Sequence, residues 1–356
     1  MPNKLILSIA ALLLLQGCNN PQEKAGPVFL NFKLEKVKTL LVNDILTSAS
    51  IDYQAPGSDW VYFIDPKTKT LLKVDVLNSS IKCICVLPDF DIGEERFSVN
   101  ESKKEIYISS YEHIKVLSFD GSVKNSYKFA DDYENGFIVQ ISNNFTPFIR
   151  NGKIYGHYVK DDDNSYKSPA FFQGPIQIEI DLKTKKINFS NVGYPISYRL
   201  KCYGMNCAPE RLIFSKDEQL FAFAYNDTAY LYNEVLKESK PYFLGSHKKH
   251  SFEYIDFRDV KKLNENIFTE FYFQTKQYAF AKIAPLSGLI LRTQLRQDRK
   301  TGKLIENLIL YDMNFKYIGE SKKGFGVSII VDTKKGLYSL KLNSKTKCLE
   351  IYRLSW

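Results

Sequence analysis

Apolar and polar residues alternate along most of this 356-residue chain. The pattern is unbroken from Ile176 to Leu182 and recurs from Leu72 to Val76 and from Tyr338 to Leu342. A period of two predicts strands with one buried face, and the Tyr, Phe, Ile and Val that fill these runs favour strands. Residues 34–46 are the best helical candidate, but they include β-branched residues and lack a capping signal. The sequence therefore predicts an all-β fold.

Turn signals separate the strands at a coarse repeat. Hairpin turns are centred near residues 67, 120, 183, 236, 302 and 344. Repeats of about 40–50 residues with short strands are typical of propeller blades. We predict a six-bladed β-propeller, with seven blades as the alternative.

Two units make this prediction specific. In one, residues 105–109 would be an inner strand, residues 113–119 the next and residues 123–129 the outer strand. The last unit, residues 327–356, shows three clear strands. We expect Val28 to Leu34 to supply its fourth strand and close the ring, so that residues 28–356 form a single domain.

The N-terminus is typical of an export signal. Lys4 precedes an apolar run from Leu5 to Leu15, which is too short to span a bilayer. Leu15-Gln16-Gly17-Cys18 then resembles the lipobox of bacterial lipoproteins. The resemblance implies that residues 1–17 are a signal peptide and that Cys18 is acylated, because its thiolate is the nucleophile that accepts the lipid. An ordinary secretory signal is the alternative.

Residues 18–27 would be the acylated cysteine and a flexible tether, since they contain two prolines and no apolar periodicity. We therefore predict an outer-membrane lipoprotein of the cell envelope. The periplasmic face is favoured over the cell surface, because only Glu23 follows the cysteine closely.

Net charge sets limits on the partners. The full chain carries +9, and removal of residues 1–17 takes away one lysine and no acid, leaving +8. The lysines are scattered and no nucleic-acid motif accompanies them, so we expect no nucleic-acid partner. The predicted partners are the membrane, through the lipid on Cys18, and an envelope protein or glycan.

The chain also resembles a family. Tyr62-Phe63-Ile64-Asp65, the hairpin from Ile114 to Gly121 and the strand from Asn307 to Asp312 are similar to blade segments of uncharacterised Gram-negative envelope lipoproteins. Those proteins have a TolB-like six-bladed propeller and are assigned to a domain of unknown function. The resemblance implies the fold and assigns no activity.

Six cysteines are present. Cys202 and Cys207 close a short loop, and an oxidising compartment favours a disulfide between them. Cys83 and Cys85 are two apart on a predicted strand and would face the same side, so they are poorly placed to bond each other. We expect Cys83, Cys85 and Cys348 to be free thiols. A disulfide from Cys83 or Cys85 to Cys348 is the alternative.

The sequence contains no catalytic, nucleotide-binding or metal-binding signature. His247 and His250 lie in a lysine-containing loop, and the acidic run from Asp161 to Asp163 lacks the remaining ligands of a calcium loop. We predict no cofactor, no metal and no catalytic residue. Thr228, within Asp227-Thr228-Ala229, resembles the O-glycosylation site of some envelope proteins.

Two functions remain open at this stage. The first is a lipid-anchored, non-catalytic propeller that binds or scaffolds an envelope ligand. The second is a propeller enzyme, a glycan lyase or hydrolase. Charged and aromatic side chains that converge on the channel would favour catalysis, whereas apolar and neutral ones would favour binding.

Overall fold

A computed structural model describes most of the chain. Its described residues are 26–42, 51–55, 57–65, 67–87, 96–109, 113–128, 137–140, 149–160, 167–184, 186–203, 209–248, 251–260, 262–264, 271, 275–297, 304–322, 329–343 and 345–356.

These residues form 26 strands. In chain order they are β1 (Phe29–Leu30), β2 (Lys33–Leu41), β3 (Ile51–Tyr53), β4 (Trp60–Asp65), β5 (Thr70–Asp75), β6 (Ser80–Val86), β7 (Arg96–Asn100), β8 (Glu105–Ser109), β9 (His113–Ser118), β10 (Val123–Lys128), β11 (Phe137–Gln140), β12 (Ile149–Arg150), β13 (Lys153–Lys160), β14 (Gln177–Asp181), β15 (Ile187–Phe189), β16 (Glu210–Ile213), β17 (Glu218–Ala222), β18 (Thr228–Asn233), β19 (Glu238–Phe243), β20 (Gln277–Ala284), β21 (Leu289–Gln297), β22 (Leu304–Asp312), β23 (Tyr317–Ser321), β24 (Ile329–Thr333), β25 (Gly336–Asn343) and β26 (Cys348–Ser355). A 3-10 helix, Pro169–Phe172, and two short helices, α1 (Ile196–Leu200) and α2 (Phe257–Val260), lie between strands.

The strands form six sheets arranged as a six-bladed β-propeller, which confirms the predicted fold. Blade 1 contains β3–β6, blade 2 β7–β10, blade 3 β11–β15, blade 4 β16–β19, blade 5 β20–β23 with β1, and blade 6 β24–β26 with β2. The first strand of each blade lies nearest the axis, since β3 contacts β7 and β16 contacts β20. The innermost strand of blade 2 is therefore β7, and the strands predicted at residues 105–109, 113–119 and 123–129 correspond to β8, β9 and β10 in the predicted order from inside to outside.

A strand-ending Asp or Asn shapes many of the hairpins. Its side chain accepts a hydrogen bond from the backbone N–H three residues later, as Asp65 does from Thr68 and Asn233 does from Leu236. The next residue, Lys69 or Lys237, then adopts a positive φ. Asx turns of this kind reverse the chain in few residues, which explains why the turn signals recur once or more per blade.

The N-terminal segment closes the ring. β2 pairs antiparallel with β26, from Lys33 opposite Ser355 to Leu41 opposite Cys348. β1 instead adds a short parallel edge to β23 of blade 5. Closure by an N-terminal strand is thus confirmed, but that strand is Lys33–Leu41 rather than Val28 to Leu34, because the first residues pair with the neighbouring blade.

Apolar clusters fill the spaces between neighbouring blades. The cluster between blades 6 and 1 is mainly aliphatic, with Val61, Leu72, Val331 and Leu340 all nearly inaccessible. The cluster beside blades 3 and 4 is largely aromatic and includes residues of the 3-10 helix and α1. A flat sheet cannot bury both faces alone, so packing of blade on blade makes one continuous domain.

Candidate functional site

The inner strands of four blades surround a central cavity of about 110 Å³. Its polar lining comes from Tyr53 and Gln54 beside β3, Arg211 on β16, Lys282 on β20 and Asp332 on β24. These residues are far apart in sequence, and the ring alone brings them together. The cavity is the candidate site.

Lys282 contributes an amine to the cavity lining. Its Nζ donates a hydrogen bond to the carbonyl oxygen of Ile330 on the neighbouring blade. Burial lowers the pKa of Lys282 to about 8, although Asp52 and Asp332 act in the opposite direction. Loss of bulk water disfavours the ammonium form, so this lysine changes charge much nearer to neutral pH than an ordinary lysine does.

Asp52 lies at the axis. It interacts electrostatically with Lys282 of blade 5 and Arg96 of blade 2, which stand on opposite sides of the ring. The residue keeps solvent-accessible surface. The protein on all sides still excludes enough water to raise the pKa of Asp52, and the two cations partly offset this effect.

Glu210 is a second carboxyl at the inner strands, on β16. Burial raises its pKa to about 8, while attraction to Arg292 and a hydrogen bond from the N–H of Ala281 act against the rise. Glu210 therefore keeps its proton at neutral pH in the folded protein. Arg292 and Ala281 belong to blade 5, so this carboxyl lies where blades 4 and 5 meet.

Arg211 ties blade 4 to blade 3 beside the cavity. Its Nη1 donates to Oε1 of Gln177 at 3.1 Å, and the residue is almost fully buried. Burial, and then the charge of Arg211, lower the pKa of His157 to about 3. His157 is consequently neutral at physiological pH, with Nε2 3.3 Å from the hydroxyl of Tyr194.

Asp332 and Gln54 form the frame of the cavity. The Asp332 carboxylate accepts hydrogen bonds from the N–H of Leu286 and the hydroxyl of Ser287. Gln54 donates to the carbonyl oxygen of Asp332 at 2.7 Å and accepts from its N–H at 3.1 Å. Blades 1, 5 and 6 are thus held together at the cavity, and its polar groups are fixed in position before any ligand arrives.

The residues predicted from sequence lie elsewhere. Cys18 and Cys207 fall outside the described residues, so acylation and the Cys202–Cys207 disulfide stay predictions. Thr228 is half-buried and begins β18, and its glycosylation also stays a prediction. Of the two histidines in the lysine-containing loop, His247 stacks on Tyr317 with ring centroids 3.7 Å apart. His250 is outside the described residues.

Cys83 and Cys85 differ from expectation. The register of β5 and β6 shifts between them, which places Cys83 on the surface and Cys85 in the core. The expectation that both face one side was wrong, because a β-bulge changes the alternation. Cys83, Cys85 and Cys348 are all free thiols, and burial raises the pKa of Cys85 to about 11.

The cavity residues were missed at the level of sequence. Lys282 interrupts the apolar and aromatic run from Tyr278 to Ala284, which is a usable signal. Asp52 and Glu210, on inner strands outside the cavity lining, look like ordinary strand-edge acids. Within the described residues, no cluster of three or more metal-ligating side chains forms, and no helix is long and apolar enough to cross a bilayer.

Comparisons with known proteins agree with the architecture. A DUF4221-family protein from Bacteroides vulgatus superposes with a TM-score of 0.67 at 13% identity, covering 91% of this chain and 98% of that one. A putative exported protein from Bacteroides fragilis gives a TM-score of 0.55 at 9% identity, covering 94% and 98%. The propeller fold is shared. No family model and no curated protein matches the sequence.

Proposed function

We propose that this chain is a lipid-anchored cell-envelope protein whose propeller binds an envelope ligand at the central cavity without transforming it. The observation that carries the proposal is the convergence of hydrogen-bonding and charged side chains from four blades on one cavity. Sites built on packed strands hold their geometry better than sites on loops. The lipobox at Cys18 supports anchoring, and the tether before β1 would leave the ring free to meet its partner.

The cavity's size limits the ligand. A volume of about 110 Å³ corresponds to three or four waters at roughly 30 Å³ each. A cavity of this size suits one functional group of a larger molecule. We propose that a carboxylate or hydroxyl of an envelope glycan or protein enters the cavity and accepts a hydrogen bond from Lys282, while the rest of the molecule lies across the channel opening.

Lys282→Met tests this proposal. The mature protein and the variant are crosslinked in envelopes and probed on glycan arrays. We expect the captured ligand to be lost with Lys282→Met and retained with Lys341→Met, which removes an exposed lysine from β25. Equal binding by both variants would show that the cavity is not the site.

A glycan enzyme is the second candidate, and one observation favours it. The inner strands carry a carboxyl and an amine whose pKa values both lie at about 8, Glu210 where blades 4 and 5 meet and Lys282 in the cavity lining. Groups shifted toward neutral pH by burial are typical of acid–base catalysis. Release of reducing ends or unsaturated products from envelope glycans, abolished by Glu210→Gln, would replace the binding proposal with this one.

A further inference from the structure

Exposed apolar side chains collect where the chain joins the ring. Val28 and Phe29 are each 48% exposed, and Trp356 is 47% exposed. Phe32 connects them, because its ring centroid lies 6.1 Å from that of Trp356 and it is three residues from Phe29. We call these four residues the rim patch, since β1 and β2 are the outermost strands of blades 5 and 6.

Lysines surround the rim patch. Lys33 pairs with Ser355 next to Trp356, and Lys322 follows the residue that pairs with Leu30. Both lysines are exposed, as is Lys38 further along β2. Lys248 lies over the Phe29 ring, with Nζ 5.1 Å from the centroid. Aromatic rings with a border of lysines are the combination that binds the interface of an anionic bilayer.

The predicted anchor is separated from this surface by a short segment of sequence. Cys18 is eight residues before Gly26, the first described residue, and eight residues span at most about 29 Å when fully extended. An acylated Cys18 therefore keeps the rim patch within reach of the bilayer whatever path the tether takes.

We propose that the rim patch inserts into the headgroup region of the membrane that holds the acyl chains of Cys18, with Lys33, Lys38 and Lys322 near anionic phosphates. This inference rests on the lipid anchor of the proposed function. It places the outer strands of blades 5 and 6 against the bilayer.

Trp356 reports directly on insertion. The chain has two tryptophans, and Trp60→Phe leaves Trp356 as the only one. The mature chain with Cys18→Ser, which cannot be acylated, is mixed with vesicles of phosphatidylethanolamine and phosphatidylglycerol that carry brominated acyl chains. We expect a blue shift and quenching of Trp356 emission, both weaker with phosphatidylcholine vesicles. Unchanged emission would overturn the proposal.

Matched variants identify the surface. Val28→Ser combined with Phe29→Ser should weaken sedimentation with these vesicles about tenfold, from the apolar burial lost. Val123→Ser is the control, because Val123 is 47% exposed on blade 2, opposite blade 5. An equal loss in the control would overturn the proposal. A thermal transition that is the same in all variants excludes misfolding as the cause.

Labelling with a palmitate analogue in cells separates the two claims. Label on the wild type and not on Cys18→Ser supports the anchor, independently of the vesicle result. Vesicle binding without label would retain the rim patch and reject the anchor. Label without vesicle binding would reject the rim patch and retain the anchor.

Discussion

The interfaces between blades 6 and 1 and between blades 4 and 5 are built differently. The first closes the ring and is filled by aliphatic side chains such as Val61, Leu72 and Leu340. The second has an apolar cluster too, but also contains Arg292 with no exposed surface. The Arg292 guanidinium donates to the carbonyl oxygens of Leu244, Phe223 and Asn226 and lies 3.6 Å from the Tyr278 ring centroid.

The reason lies in the connections between strands. Residues 223–227 and 244–246 follow strands β17 and β19 of blade 4. Within these segments the carbonyl oxygens of Ala224 and Asp227 accept hydrogen bonds from the N–H groups of Tyr278 and Leu244. The other carbonyls need further donors, because a buried carbonyl without a donor is costly. Arg292 and the hydroxyl of Tyr311, which donates to Gly245, supply the missing donors. Buried polar side chains therefore replace strand pairing where the chain departs from the blade.

Arg292→Met should have the largest effect of the substitutions that test the polar interface between blades 4 and 5. We expect it to reduce the free energy of unfolding by about 3–5 kcal/mol, because three buried carbonyls lose a charged donor. Urea denaturation followed by circular dichroism measures the change. Arg296→Met, an exposed position on the same strand, should stay within about 0.5 kcal/mol. Equal stabilities for the two variants would contradict the role assigned to Arg292.

Leu340→Ala tests the aliphatic interface. Leu340 is fully buried between blades 6 and 1, and its truncation should cost about 3 kcal/mol of unfolding free energy through lost burial and a residual cavity. Leu236→Ala, at a leucine that is 64% exposed in a hairpin of blade 4, is the control and should have little effect. A loss well under 1 kcal/mol at Leu340 would show that closure depends on strand pairing of β2 instead.

The contrast between the aliphatic and the polar interface also explains which parts of the structure could be predicted from the sequence. In blade 6 the run from Tyr338 to Leu342 alternates, so the missing fourth strand and closure by the N-terminal segment were predictable. The bounds of that strand were not, because residues 29–30 pair with blade 5 instead. The polar interface was not, because Arg292 directly follows the apolar run from Leu289 to Leu291, where an arginine is read as the point at which the strand reaches solvent. The cavity was not predictable either, since Arg211, Lys282 and Asp332 are brought together only by the closed ring. The bulge at Ile84 has no signal in its sequence.

Glu210→Gln tests whether the interface between blades 4 and 5, where Glu210 lies, makes the folding stability depend on pH. The pKa of Glu210 is about 8 in the folded protein and near 4.5 in an unfolded chain. Between these values the folded state holds a proton that the unfolded state releases, so stability is greatest below the lower value and falls as pH rises toward 8. Channel water screens part of the effect, and we expect a loss of about 1–2 kcal/mol between pH 5 and 8.

The variant should remove most of that slope. Glutamine keeps the acceptor for the Ala281 N–H and does not ionise, so urea midpoints at pH 5 and 8 should agree more closely than in the wild type. Asp312→Asn, at a carboxyl that caps an exposed turn of blade 5, should leave the slope unchanged. A slope that persists in Glu210→Gln would assign the dependence to another group.

Gly319→Ala should have the smallest effect on the free energy of unfolding. It distinguishes the contribution of β1 from that of β2. A Cβ at Gly319 would lie 2.6 Å from Leu30 Cγ and 2.9 Å from the Val28 carbonyl oxygen, so β1 must lift away from blade 5. We expect a loss of about 1 kcal/mol, the low end for overpacking, because a two-residue edge strand can detach while β2 still closes blade 6.

Amide exchange at Glu320 locates the change, because its N–H donates to Val28 at 2.9 Å in the wild type. Exchange there should accelerate, while the amides that pair β2 with β26 stay protected. Gly26→Ala is the control, since a Cβ at that position meets nothing within 4 Å. Loss of protection along β26 as well would show that β1 and β2 act as one closing unit, and that blade 5 contributes to the closure now assigned to blade 6 alone.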